Sequence, residues 1–70
     1  MNEEMEKKKE RLYDRINELT MLNTRLAKLM FFLNESKPED TDCVLALQKQ
    51  LDAMLEYRDA LQDRIAKGYF

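Results

Sequence analysis

The sequence predicts an all-α protein that folds as an antiparallel two-helix hairpin. Charged residues make up 37% of the 70-residue chain and hydrophobic residues 44%, with one glycine and one proline. Leucines recur at intervals of three and four residues, which is the spacing of a buried helix face. The pattern is interrupted once, at residues 34–42 (NESKPEDTD), which include the proline. Because a chain this short forms one domain at most, we expect a single helical hairpin domain over residues 1–70.

The first helix is predicted over residues 4–34. Its inward stripe is Leu12, Ile16, Leu19, Leu22, Leu26, Leu29 and Leu33. A connector is expected at residues 35–38, because Ser36 and Glu39 have capping-box spacing and Pro38 suits a first helical turn. The second helix is predicted over residues 39–67, with Gly68 as its stop. Its inward stripe is Val44, Leu47, Leu51, Met54, Leu61 and Ile65.

The chain has more apolar side chains than one helix–helix seam can cover. Those outside the two stripes are Met21, Met30, Phe31, Leu45 and Leu55. Scattered apolar residues on a surface have no meaning by themselves, but together these would form a patch larger than monomers usually expose. We therefore expect the hairpins to assemble into a homo-oligomeric helical bundle, as a dimer, a tetramer or a larger assembly.

The composition excludes several classes of function. With no histidine and a single cysteine, the chain cannot build a zinc site, an internal disulfide or a Cys/His or Ser/His catalytic pair. Asp59 and Asp63 could together hold Mg²⁺, but acids four residues apart on a charged helix are usually solvated. We predict that the protein is not an enzyme, with no catalytic residue, metal or cofactor.

The net charge and the length of the apolar runs also argue against two kinds of partner. A net charge of −2 provides no overall basic field for DNA, and the longest apolar run, Leu29–Leu33, is too short to span a membrane. The sequence therefore predicts no DNA and no membrane as partner. A cytoplasmic location is expected, since the free thiol of Cys43 fits a reducing compartment.

Polar and aromatic side chains recur every seven residues beside each apolar stripe. The first helix carries Arg11, Glu18, Arg25 and Phe32, with Lys28 on the same side, and the second carries Gln50, Tyr57 and Arg64. Such positions often hold charged side chains that pair across a coiled coil. Tyr57 argues for a ligand instead, because a phenol near a seam normally needs a hydrogen-bond partner. Arg58 interrupts the second stripe, and Asp14 or Glu18 could pair with it, which leaves its role open.

An antiparallel hairpin places the start of the first helix beside the end of the second. This open end gathers cations and aromatic rings: Lys7, Lys8, Lys9, Arg11, Arg15, Arg58, Arg64 and Lys67 with Tyr13, Tyr57, Tyr69 and Phe70. Guanidinium groups bind phosphate and tyrosine rings stack on bases, so the pattern indicates a pocket for a small anionic ligand with flat bases. The predicted ligand-binding residues are Arg11, Arg25, Lys28, Gln50, Met54, Tyr57 and Arg64.

The chain resembles a family of small helical-hairpin phage proteins that are frequent in crAss-like phages. The matching residues in the first helix are ERL (10–12), EL (18–19), Arg25, KL (28–29) and Phe32. Those in the second helix are Leu47, QL (50–51), Met54, Tyr57, Leu61 and RI (64–65). The resemblance therefore covers residues 10–65, and Gln50, Met54, Tyr57 and Arg64 are its more specific part.

This family is similar to the phage "sponge" proteins, which sequester cyclic-nucleotide immune signals as homo-oligomers without cleaving them. The resemblance implies immune evasion in the host cytoplasm, with a cyclic di- or trinucleotide as the ligand. The alternative is a structural or regulatory coiled hairpin whose partner is another protein.

Overall fold

The chain folds into two long helices. A computed structural model describes residues 2–35 and 39–70. Helix α1 spans Asn2–Glu35 and helix α2 spans Thr41–Lys67. Residues 36–38, which form most of the expected connector, lie outside the described residues.

The helices pack against each other in antiparallel orientation. The side chain of Arg15, in the N-terminal half of α1, donates a hydrogen bond of 3.2 Å to the main-chain oxygen of Phe70, just beyond α2. The molecule measures 58 × 16 × 14 Å, as expected for two helices side by side. The prediction of an all-α two-helix hairpin is therefore confirmed. No helix in the described parts of the chain is long and apolar enough to cross a membrane.

The core of the hairpin is small. Among the described residues, Leu22, Leu26 and Leu61 are the buried hydrophobic side chains, and Leu61 is only 1% exposed. The other predicted inward residues of α2, and Leu12, Leu19, Leu29 and Leu33 of α1, are half-buried. Apart from Ile16, the residues of both stripes therefore face the seam as predicted, but a single hairpin shields only their centre.

The prediction that Ile16 lies in the stripe of α1 is wrong. Ile16 is 41% exposed, whereas Arg15 is half-buried. Arg15 follows Leu12 by three residues and precedes Leu22 by seven, so it occupies the inward position, and Ile16 is turned to the flank. The guanidinium is accommodated in the seam because it reaches polar atoms at its edge, including the Phe70 oxygen.

The apolar residues outside the stripes are largely exposed, as predicted. Met21, Met30, Phe31 and Leu45 all have large exposed fractions. Leu55 is the exception and is half-buried.

Helix α2 begins later than predicted, with Asp40 as its N-cap. The Oδ1 atom of Asp40 accepts hydrogen bonds from the main-chain nitrogens of Asp42, at 2.9 Å, and Cys43, at 3.4 Å. The expected cap, Ser36, lies outside the described residues, and Glu39 precedes the helix. Aspartate is preferred at this position because its carboxylate satisfies free N–H groups at the positive end of the helix dipole.

Replacing this cap is expected to destabilise the protein. Asp40→Ala removes the acceptor for two main-chain N–H groups and should lower the free energy of unfolding by about 1 kcal/mol in urea denaturation. Asp40→Asn keeps an acceptor oxygen and should retain most of the stability. An Asp40→Ala protein as stable as the wild type would show that another residue caps α2.

Helix α2 ends at Lys67, and Gly68 is its C-cap residue, as predicted. Gly68 has φ +75°, a left-handed conformation that glycine adopts without the steric cost of a Cβ atom. Its N–H donates to the Ile65 oxygen and that of Tyr69 to the Arg64 oxygen, which forms a Schellman motif. This turn brings Tyr69 and Phe70 back along the end of the hairpin.

Candidate functional site

One long side of the hairpin carries most of the predicted ligand-binding residues. In both helices, each of these residues either comes directly before an inward residue in the sequence or lies next to a residue that does. Because the helices are antiparallel, positions with this offset fall on the same side of the pair. We call this side the cationic face and define it by Arg11, Arg25, Lys28, Gln50, Tyr57 and Arg64.

The residues of the cationic face are spread along the hairpin. The chain reverses between α1 and α2, so residues whose numbers sum to about 75 lie level with each other on this face. Arg25 is therefore level with Gln50, and Arg11 with Arg64. Gln50 and Arg64 are separated along α2 by about 21 Å, at ~1.5 Å per residue. One hairpin therefore carries two groups of these residues. The middle group is Arg25, Lys28 and Gln50, the open-end group is Arg11 and Arg64, and Tyr57 lies between the two.

The middle group contains two accessible cations. Arg25 and Lys28 are exposed, and neither forms an ion pair with a carboxylate within residues 2–35 or 39–70. The exposed apolar side chains of Met21 and Phe32 lie four residues before Arg25 and four residues after Lys28. This arrangement leaves both charges available to an anionic ligand beside an apolar surface.

On α2, Gln50 belongs to the middle group, and Met54 and Tyr57 lie beside it toward the open end. Met54 is half-buried in the seam, and its sulfur is 3.9 Å from Gln50 Nε2, a weak hydrogen bond. Gln50 is exposed and keeps its amide oxygen and one further N–H free to bind a ligand. Tyr57 is 45% exposed, so its ring is accessible for stacking and its hydroxyl can be solvated.

At the open end, Arg64 is already engaged by the chain itself. Arg64 donates from Nε to the Tyr69 oxygen at 3.1 Å and from a terminal nitrogen to the Phe70 oxygen at 3.3 Å. Arg15 donates to the same Phe70 oxygen. Two guanidinium groups therefore converge on one main-chain oxygen, at the end of the hairpin where the sequence pattern predicted a pocket for an anionic ligand.

Arg58 has a local partner. Its Nε and one terminal nitrogen lie 3.3 and 3.1 Å from Oδ1 of the neighbouring Asp59. A pairing with Asp14 or Glu18, which the sequence left open, is not formed. Glu18 Oε1 instead lies 3.0 Å from Arg15 Nε, within ion-pair distance, although this N–H is not well directed for a hydrogen bond. Arg58 is thus held by Asp59 at the edge of the seam.

A cleft of about 440 Å³ opens at the end of the hairpin. It is lined by Glu4, Lys7, Lys8, Arg11, Gly68 and Phe70. Three cations and an aromatic residue therefore meet there, beside one carboxylate. A second hollow of about 230 Å³ is lined by Met5, Lys8, Lys9, Leu12 and Phe70.

The predicted ligand-binding set omitted three residues that the structure places in or near this end. Lys7 and Lys8 belong to a lysine run flanked by glutamates, which is usually a solvated surface. Arg15 could have been found from its seven-residue spacing to Leu22, which marks an inward position. Lys67, expected in the same cluster, instead pairs with Asp63 at 2.9 Å.

The described residues show no arrangement for metal chemistry. No group of three or more potential ligand side chains comes together within residues 2–35 and 39–70. What the site offers is a combination of guanidinium, ammonium, amide and phenol groups, which can bind phosphates and bases.

The family comparison agrees with this chemistry. A family model described as Sequestin matches residues 6–67, nearly the whole of both helices. No curated protein matches the chain, and no solved structure does. The match confirms the resemblance to the phage sponge proteins, and the family name implies binding rather than catalysis. The chain belongs to the Sequestin family.

Proposed function

We propose that this protein binds and sequesters a cyclic-nucleotide defence signal as a homo-oligomer and does not cleave it. A phage-encoded protein of this kind acts in the cytoplasm of the host cell, where it keeps the signal from its receptor. It thereby evades cyclic-nucleotide-based immunity of the CBASS type. The ligand is a cyclic di- or trinucleotide.

The observation that carries this proposal is the composition of the cationic face. Arg25 and Lys28 are exposed without a carboxylate partner among the described residues, and Tyr57 offers a stacking surface on the same side. Phosphates need cations and bases need aromatic faces, so a nucleotide uses both. The family name supports sequestration as the use of this binding.

Self-association is the second part of the proposal. A core of three buried leucines among the described residues is small for a chain of 70 residues. Packing hairpins against one another would cover the exposed Met21, Met30 and Phe31 and extend that core. Sequestration also benefits, because a ligand held between subunits is shielded from other proteins.

Sequestration can be distinguished from cleavage by recovering the ligand. The protein is incubated with a panel of cyclic di- and trinucleotides, separated from free nucleotide by gel filtration, and then denatured by heat. We expect one class of nucleotide to co-elute with the protein and to be released chemically intact. Recovery of linear nucleotides would show that the protein cleaves its ligand. If no nucleotide co-elutes, the alternative in which the partner is another protein is favoured.

Tyr57 provides a specific test of base stacking. Tyr57→Ala should weaken nucleotide binding by about 1–3 kcal/mol in titration calorimetry, because a stacked base loses its platform. Tyr57→Phe keeps the ring and should bind nearly as well as the wild type. Tyr69→Ala removes a tyrosine that lies outside the cationic face and serves as the control. Equal binding by Tyr57→Ala and the wild type would exclude Tyr57 from the site.

A further inference from the structure

The charges of α1 are confined to one part of its circumference. Between Leu12 and Asn34 the charged side chains are Asp14, Arg15, Glu18, Arg25 and Lys28. All five lie in the seam or on the side of the cationic face. The remaining surface over this stretch, which we call the neutral face, has no charge over about 32 Å, and it contains Ile16, Thr20, Asn23, Thr24, Ala27, Met30 and Phe31.

The outward surface of α2 has the opposite character. It carries five acids and two lysines, which are Asp42, Lys49, Asp52, Glu56, Asp59, Asp63 and Lys67. A helix surface that faces water in a chain this charged is expected to look like that of α2. The neutral face is exposed in the single hairpin, and Ile16, Met30 and Phe31 are among its exposed residues. The difference between the two helices indicates that α1, and not α2, is covered in the assembly.

We propose that the neutral face is a self-association interface, in which the α1 helices of two copies pack antiparallel about a two-fold axis. This inference deepens the proposed function and rests on it. An uncharged surface can pack on itself without burying like charges or leaving them unpaired. Its polar members suit burial, because Thr20 and Thr24 already donate their hydroxyls to the Ile16 and Thr20 oxygens, at 2.9 and 3.0 Å.

The sequence of the neutral face fixes the register of this pairing. Full overlap of residues 16–31 places the axis between Asn23 and Thr24. Ile16 of one copy then lies opposite Phe31 of the other, and Thr20 lies opposite Ala27. The Asn23 side chains meet near the axis, where an interfacial amide pair can specify alignment.

The same register completes a ligand site from both copies. Lys28 borders the neutral face and lies about 7 Å along the helix from the axis. Arg25 directly precedes the inward Leu26, whereas Asn23 and Met30 of the neutral face directly follow inward positions, so Arg25 lies on the other side of α1. The two copies therefore place two Lys28 ammonium groups on a single side of the dimer. Two cations with two-fold symmetry match a ligand that carries two phosphates related by the same symmetry, such as a cyclic dinucleotide.

The interface is tested by sedimentation velocity on the full chain across a concentration series. Met30→Glu introduces a charge into the neutral face and should shift the wild-type oligomer toward smaller species, with at least a tenfold weaker association. Leu45→Glu makes the same change on the outer surface of α2, where Leu45 is 58% exposed compared with 47% for Met30, and should leave the association unchanged. Circular dichroism verifies that both variants remain helical.

The outcomes separate this inference from the proposed function. A wild-type oligomer that is weakened by Leu45→Glu and not by Met30→Glu overturns the α1–α1 interface and leaves sequestration standing. A wild-type monomer overturns both the interface and the homo-oligomeric part of the function. Association that weakens only in Met30→Glu supports the interface. Titration with cyclic di-AMP and cyclic di-GMP, as two-phosphate probes, should then tighten the association of the wild type, and its failure to do so overturns the shared site.

Discussion

Leu61→Ala is expected to destabilise the protein severely. Leu61 is 1% exposed and is the most completely buried side chain of the described residues. Truncating a buried leucine to alanine removes apolar contacts and leaves a cavity, at a cost of about 2–5 kcal/mol. Because small domains have total stabilities of about 5 kcal/mol or somewhat more, most of the folding free energy would be lost. Urea denaturation followed by circular dichroism measures the effect.

The matched control for this substitution is Leu45→Ala. Leu45 lies on the same helix but is 58% exposed, so the change should alter the free energy of unfolding by less than about 0.5 kcal/mol. Similar losses in the two variants would contradict the assignment of Leu61 to the core and of Leu45 to the surface.

The double substitution Arg25→Gln with Lys28→Gln is expected to have the largest effect on ligand binding. Both side chains are exposed and lack a carboxylate partner among the described residues, so the fold does not depend on them. Each hydrogen bond to a charged group contributes about 1.5–3 kcal/mol, and the loss of two should weaken nucleotide binding at least about 100-fold. Helix content and stability should stay at the wild-type level.

The control is a second double substitution, which removes the same amount of charge outside the cationic face. Lys9→Gln with Lys49→Gln takes two cations from outside the cationic face and should retain binding within about threefold at 0.15 M salt, where distant exposed charges are largely screened. Equal losses in the two double variants would mean that the ligand responds only to net charge. Higher salt should weaken binding by the wild type, since phosphate contacts are screened.

The architecture was predictable because it depends on one strong pattern. The three- and four-residue spacing of leucines identifies both helices, and the only proline and glycine mark where the pattern stops. The pattern was misread at Ile16, because an apolar residue is the usual occupant of an inward position, although the seven-residue spacing to Leu22 marks Arg15 instead. The long side chain of Arg15 is accommodated at this inward position because it reaches the Phe70 oxygen and approaches Glu18.

The details of the site depend on contacts that spacing does not reveal. Seven-residue intervals show that Gln50, Tyr57 and Arg64 share one side of α2, which follows from helix geometry alone. The hydrogen bonds from Arg64 to the Tyr69 and Phe70 oxygens depend on the turn at Gly68, which directs the last residues back along the helix. Similarly, the contact between Asp59 and Arg58 depends on their side-chain rotamers, which the identity of two neighbouring residues does not specify.

Native mass spectrometry with a panel of cyclic di- and trinucleotides tests the central claim most directly, because it reports subunit number and ligand number together. The account predicts an assembly with an even number of chains that retains one class of cyclic nucleotide at its intact mass, with one ligand for each two-fold pair of chains. A single chain that carries no nucleotide from the panel would contradict it.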